Sequence, residues 1–145
     1  MSLENFILKS QYENVGDICL KVREICKSRD LDITATNHIE IALTEALNNV
    51  IEHSYKEDPE QIIFVTVEDL DDKMTFKIID TGSSREDLKP RELKINPDDI
   101  ESLPESGMGL FIIEQIMDET NYYTEGDKNV FTLIKKIEPS VSNGE

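Results

Sequence analysis

The sequence has no tryptophan, only 2 cysteines and only 15 basic residues among 145. Two cysteines without a CxxC pair or a flanking histidine give neither a zinc site nor a disulfide framework. The few basic residues face 31 acidic ones, for a formal charge of −16, which argues against nucleic acid as a direct ligand. No apolar run approaches the roughly 18–20 residues of a membrane span, and the N-terminus lacks the layout of a signal peptide. We therefore expect a cytoplasmic protein that contacts neither nucleic acid nor membrane.

The composition that remains is that of an ordinary globular chain, with 38% hydrophobic and 32% charged residues. The length predicts a single domain with its own core, over residues 1–137, followed by a disordered tail at residues 138–145. Cys19 and Cys26 fall on one apolar helical stripe with Val15, Ile18 and Val22, where a free cysteine acts as a small hydrophobe. We expect both cysteines to be structural.

Hydrophobic periodicity and turn residues predict the order of the elements. A strand near residues 6–8 precedes two helices, at residues 12–30 and from Thr34 or Thr36, as alternative caps, to about residue 53. A hairpin follows at residues 62–68 and 74–80, then a proline-interrupted lid at 83–106, a helix at 107–117, and strands near 121–124 and 130–137. This order predicts an α+β fold, a two-layer α/β sandwich with helices on one face of a mixed, mainly antiparallel sheet.

Polar residues in the second predicted helix recur at steps of four. Glu45, Asn49 and His53 form one stripe, which borders the apolar stripe that includes Leu43 and Leu47. A carboxylate, an amide and an imidazole thus line the edge of the core. A lone stripe of this kind is more often a solvated helix face, so a functional reading needs other parts of a site.

Two further features of the sequence are candidates for the other parts of a functional site. Asp80 continues the alternation of Phe76 and Ile78, so its carboxylate should point toward the helix-covered side, and Gly82 permits a close approach two residues later. The stretch Gly107-Met108-Gly109 opens an apolar helix, where free backbone N–H groups can bind an anion. Each feature alone has an ordinary structural explanation, as a strand-ending turn or as tight packing.

Taken in order, these motifs resemble the GHKL ATPase superfamily, and within it the anti-sigma-factor serine protein kinases. The matching stretches are Glu45 to His53, Asp80-Thr-Gly82, and residues 107–119, and the resemblance spans about residues 5–137. It implies a Bergerat-type ATP-binding fold in which residues 83–106 form the ATP lid. The cofactors it implies are ATP and Mg²⁺.

The resemblance also implies residue roles. Asn49 is the Mg²⁺ ligand, Glu45 is the general base that takes a proton from a protein serine, and Asp80 accepts from the adenine amino group. The other nucleotide-binding positions are His53, Gly82, Gly107, Met108, Gly109 and Thr132.

The function implied is that of an ATP-binding anti-sigma factor and serine protein kinase. Such a protein sequesters a sigma factor and phosphorylates an anti-anti-sigma antagonist, and a homodimer is a further expectation. The alternative is an ATP-dependent partner-binding module with little or no kinase activity, and Glu45 favours the kinase because pure binding needs no base. Asp80-Thr-Gly82 is also an aspartic protease signature, but those enzymes are nearly all β, whereas two long helices precede this motif.

Overall fold

The computed structural model describes residues 2–84 and 105–137. Most of the predicted lid and the whole predicted tail lie outside these residues. In chain order the elements are β1 (Ser2–Lys9), α1 (Tyr12–Ser28), α2 (Ile33–Asn49), a π-helical turn (Val50–Ser54), β2 (Ile62–Asp69), β3 (Lys73–Asp80), α3 (Glu105–Ile116), β4 (Glu119–Glu125) and β5 (Lys128–Lys136). Within the described ranges, no helix is long and apolar enough to cross a membrane.

The strands form one sheet in the order β1-β2-β3-β5-β4. Every pairing between these described strands is antiparallel, so the expectation of a mixed sheet is corrected. Short hairpin connections join β2 to β3 and β4 to β5, and a hairpin forces its two strands to run in opposite directions. The predicted α+β class is confirmed, with helices against one face of the sheet and the other face open.

Strand alternation places the core between the sheet and the helices. Val65, Phe76 and Ile78 point toward the helices and are fully buried, as are Leu43 and Leu47 of α2. Burying a side chain of this size contributes about 1.5–3 kcal/mol to folding, so this layer holds the helices in place. The chain positions that carry the site lie at the edge of this core.

The two cysteines belong to the same core. Cys19 and Cys26 are free and buried on α1, which confirms that they act as small apolar residues. Burial raises the pKa of both thiols, so neither is an activated thiolate.

The start of α2 differs from the prediction that Thr34 or Thr36 caps it. The helix begins at Ile33, and the Asp32 carboxylate accepts a hydrogen bond of 2.7 Å from the Ala35 amide. A carboxylate both satisfies this free amide and interacts favourably with the positive end of the helix dipole. Thr36 lies inside the first turn, where its hydroxyl donates to the Asp32 carbonyl at 3.0 Å.

Candidate functional site

Two of the predicted polar residues on α2 lie against the first turns of α3. Glu45 and Asn49 are half-buried, one turn apart, and face Gly109. A Cβ atom at position 109 would lie 2.6 Å from Glu45 Oε2 and 3.9 Å from Asn49 Nδ2. A side chain at position 109 would therefore displace the Glu45 carboxylate from its place beside α3. The packing of α3 against α2 brings a carboxylate, an amide and the start of a helix together.

The amide of Asn49 is incompletely paired. Its Nδ2 atom is buried and has no hydrogen-bond partner among the described residues. A buried donor without an acceptor costs about 1–3 kcal/mol, so such a group marks a place where a partner is missing. Rotation of the amide by half a turn presents Oδ1 at the same point, and an amide oxygen is a ligand that Mg²⁺ accepts. The donor chemistry of this position therefore fits a magnesium ligand.

The second part of the site is the carboxylate at the end of β3. Asp80 is 2% exposed and points toward the helix-covered side of the sheet, as its alternation predicted. Its Oδ1 atom accepts from the Gly82 amide at 2.9 Å and from Asn129 Nδ2 at 2.8 Å. Burial raises the pKa of Asp80, and hydrogen bonding, above all from Asn129 and the Gly82 amide, opposes that rise. The result is an oriented carboxylate with little contact to solvent.

Gly82 is required by a close backbone contact. A Cβ atom there would lie 2.2 Å from the Ser54 carbonyl oxygen, which also accepts from the Ser83 amide at 2.9 Å. The close approach that the sequence predicted at this glycine is thus made by the chain itself, at the end of the π-helical turn. This contact fixes the path of the chain directly after Asp80.

Asn129 is a site residue that sequence reasoning missed. It is the cross-strand partner of Asp80 on β5, it is 2% exposed, and its Nδ2 also donates to the Gly82 carbonyl at 2.9 Å. Thr132, the predicted position on this strand, instead pairs with Lys77, so its side chain lies on the open face, away from Asp80. Asn129 alternates with Phe131 and Leu133, which places its side chain on the same face of the strand as theirs. Its position beside Asp80 follows only once the strand register is known.

His53 and the glycine stretch differ from the simple expectation. His53 belongs to the π-helical turn, whose extra residue per turn moves it off the stripe of Glu45 and Asn49. Its Nε2 lies 3.8 Å from the Glu52 carboxylate, and the described contacts do not join it to the other site residues. Helix α3 begins at Glu105, slightly before the predicted start at Gly107, so Gly107 and Met108 lie within its first turns. The Gly107 amide still falls among the first N–H groups, which have no partner within a helix.

The fold is thus a two-layer domain with a buried carboxylate at the end of a sheet strand and, on a helix, a carboxylate and an amide. A family model described as the histidine kinase-like ATPase domain matches residues 8–135. The chain belongs to this family.

Comparison with named proteins shows which members of this family the chain is similar to. The chain is 40% identical over 111 residues to the serine-protein kinase RsbW of Staphylococcus aureus, a match that covers 72% of this chain and 69% of the relative. It is 32% identical over 129 residues to the protein of the same name from Listeria innocua, with 86% and 80% covered. The solved RsbU and RsbW domains of a Mycobacterium tuberculosis protein superpose with a TM-score of 0.67 at 18% identity, over 96% of this chain and 34% of that one. This last likeness shows a shared fold.

Proposed function

We propose that the protein is an anti-sigma-factor kinase that phosphorylates a serine of an antagonist protein. We further propose that its functional site consists of Glu45, Asn49 and Asp80. The class of activity follows from the family and from the named relatives: the chain is an ATP-dependent serine protein kinase of the anti-sigma-factor type. The residue roles rest on the geometry of the described residues.

The carboxylate of Glu45 acts as the general base. It is half-buried beside the start of α3, where a Cβ atom at position 109 would lie 2.6 Å from its Oε2. A carboxylate held in this way can take the proton of a serine hydroxyl as the phosphoryl group is transferred. This is the observation that favours a kinase over a module that only binds ATP and a partner.

The remaining residues bind and orient the nucleotide. Asp80 accepts from the adenine amino group beside Gly82, and the start of α3, at Gly107, Met108 and Gly109, faces the phosphates. Asn49 would hold Mg²⁺, which neutralises phosphate charge when it is bound. His53 and Thr132 are weaker candidates, because the described contacts do not join either to Asp80 or Asn49.

The partners we propose are a sigma factor, which the protein sequesters, and its anti-anti-sigma antagonist, which it phosphorylates in the cytoplasm. A direct test combines nucleotide binding with phosphoryl transfer. ATP with Mg²⁺ should raise the melting temperature as its concentration rises, because the ligand binds the folded state alone. Labelled phosphate should then appear on the serine of an antagonist protein. A protein that binds ATP and a partner but transfers no phosphate would favour the binding-module alternative.

A homodimer is the assembly that the open face of the sheet supports. Side chains opposite one another across all five strands form an apolar row there: Ile7, Phe64, Ile79, Val130 and Tyr123. Ile7 and Phe64 are 69% and 40% exposed. Two copies that meet through this face would bury this apolar row, and sheets pack well face to face.

Sedimentation velocity tests this assembly. Phe64→Lys should convert a dimer to a monomer, whereas Leu20→Lys, at a residue 65% exposed on α1, should leave the dimer intact. A wild-type protein that sediments as a monomer at micromolar concentration would contradict the dimer without affecting the kinase.

A further inference from the structure

The turn that follows Asp80 is held by a tyrosine that has no role in the proposed chemistry. Tyr55 is buried, and its hydroxyl accepts from the Thr81 amide at 2.8 Å while it donates to the Ile62 carbonyl at 2.6 Å. One hydroxyl thereby joins the residue after β3 to the first residue of β2. Its ring also contacts the turn, since a Cβ atom at Gly82 would lie 2.9 Å from Tyr55 Cδ1.

Ser54, the residue before Tyr55, contacts the same turn. The Ser54 carbonyl accepts from the Ser83 amide at 2.9 Å, and a Cβ atom at Gly82 would lie 2.2 Å from its oxygen. Ser54 and Tyr55 together therefore contact three consecutive residues, 81 to 83, by side chain or backbone.

The backbone that carries these two residues is unusual. It is the π-helical turn, closed by the Tyr55 amide on the Val50 carbonyl at 2.9 Å, and it is followed by Lys56 and Glu57 at φ values of 50° and 64°. Two consecutive non-glycine residues in the left-handed region are unfavourable and persist only where other contacts hold them. The Glu57 amide is held by the Ile51 carbonyl at 2.7 Å. π-turns insert one residue into a helix, and here the insertion turns Ser54 and Tyr55 toward β3.

We propose that Tyr55, assisted by Ser54, is a positioning residue that fixes the orientation of the Asp80 carboxylate and thereby the selectivity of the site for a 6-aminopurine. This inference rests on the proposed role of Asp80 in binding adenine. A carboxylate accepts from the 6-amino group of ATP but meets a carbonyl oxygen in inosine triphosphate, ITP, so its orientation controls the choice between the two. A residue that holds the turn therefore affects the ATP affinity more than the ITP affinity.

The experiment measures dissociation constants of ATP and ITP, each with Mg²⁺, for the full chain by calorimetry. Tyr55→Phe keeps the ring and removes the hydroxyl, so ATP affinity should fall about tenfold, the effect of losing one to two hydrogen bonds, with ITP affinity changed less than about twofold. The ratio of the two constants does not depend on the folded fraction, because both nucleotides meet the same folded protein.

Tyr12→Phe is the matched control. Its hydroxyl bonds the Glu57 carboxylate at 3.0 Å, on the same segment, but does not touch the turn, so the ratio should equal that of wild type. If Tyr55→Phe weakens ATP and ITP equally, the tyrosine is merely structural and the inference is wrong while the proposed function stands. If the wild type binds neither nucleotide, the proposed function and this inference fall together.

Discussion

The two ends of the candidate site differ in how completely their polar groups are paired. At the sheet end, Asp80 Oδ1 accepts two hydrogen bonds, and Asn129 Nδ2 serves both that carboxylate and the Gly82 carbonyl. At the helix end, Asn49 Nδ2 is buried beside the Glu45 carboxylate and has no hydrogen-bond partner within residues 2–84 and 105–137. The two ends of the candidate site thus differ in how many of their polar groups are paired in the folded protein.

This difference indicates separate roles for the two ends of the candidate site. A carboxylate that is oriented before the ligand arrives needs no reordering on binding, which favours selectivity for one base. An amide left without a partner gains one only when a ligand supplies it, so the folded protein favours the ligand-bound state at that end. We therefore expect the sheet end to recognise the base and the helix end to be completed by the ligand that it binds. Four substitutions test this division.

The largest effect is expected from Glu45→Gln. The variant keeps the size and hydrogen-bonding capacity of the side chain but cannot take a proton, so serine phosphorylation should fall about 10²–10⁴-fold. ATP affinity should stay within about twofold, because ground-state contacts remain. The measurement is single-turnover transfer of labelled phosphate alongside a nucleotide titration.

Glu40→Gln is the matched control on the same helix, where Glu40 forms an ion pair of 2.6 Å with Arg23, away from Gly109. Its transfer rate should equal that of wild type. Equal rates for wild type and Glu45→Gln would exclude Glu45 as the base and leave the helix end without a catalytic role.

Asn129→Ala tests the completeness of the sheet end. The substitution leaves a buried carboxylate and a buried carbonyl without one donor each, so the free energy of unfolding should fall by about 3 kcal/mol. Urea denaturation measures it, with Asn121→Ala on the exposed edge of β4 as control. A loss no larger than that of the control would mean that Asn129 does not hold Asp80.

Asp80→Asn separates recognition from stability at the same end. The asparagine Oδ1 can still accept from Gly82 and Asn129, but its Nδ2 now faces the adenine amino group as a second donor. ATP affinity should therefore fall about thirtyfold, the scale of losing a hydrogen bond to a charged group, without loss of folding. An unchanged affinity would remove Asp80 from base recognition.

The stability of Asp80→Asn should also differ from that of wild type in its dependence on pH. Burial raises the pKa of Asp80 in the folded protein above its unfolded value. Its contribution to stability is thus fully present below the unfolded pKa and is lost as pH rises through the folded pKa. Between pH 3 and pH 8, the stability of Asp80→Asn relative to wild type should therefore increase with pH. Urea midpoints across this range measure it, and a difference that does not change with pH would contradict the sign.

The elements and the inward-facing Asp80 were accessible from the sequence because they depend on local periodicity. Helices α1 and α2 and the β2–β3 hairpin were predicted nearly to their ends. The first half of β1 was missed, since its residues are exposed and polar and show no alternation. Such a segment is a strand only because β2 pairs with it.

The rest of the site depends on contacts between distant segments. Asn129 lies beside Asp80, and Thr132 does not, through a register between β3 and β5 that a shift of one residue would reverse. Ser54 and Tyr55 reach the turn after Asp80 through a π-turn, which no repeat in the sequence specifies. The sequence thus predicted which residue carries the carboxylate, and tertiary structure determined which residues hold it.

The smallest effect, and the one of opposite sign, is expected from Asn49→Leu. Removing a buried amide that has no hydrogen-bond partner in the described part of the chain, at similar volume, should raise the free energy of unfolding in the absence of nucleotide by about 1 kcal/mol. Asn48→Leu, the neighbouring residue on α2, is the control, because it carries the same gain in helix propensity without touching the unpaired group. In the same variant, Mg²⁺ should no longer strengthen ATP binding, since leucine offers it no oxygen. Calorimetric titration with and without Mg²⁺ measures this second effect. Stability lost rather than gained would mean that the Asn49 amide is already satisfied in the folded protein, and the contrast between the two ends of the site would then disappear.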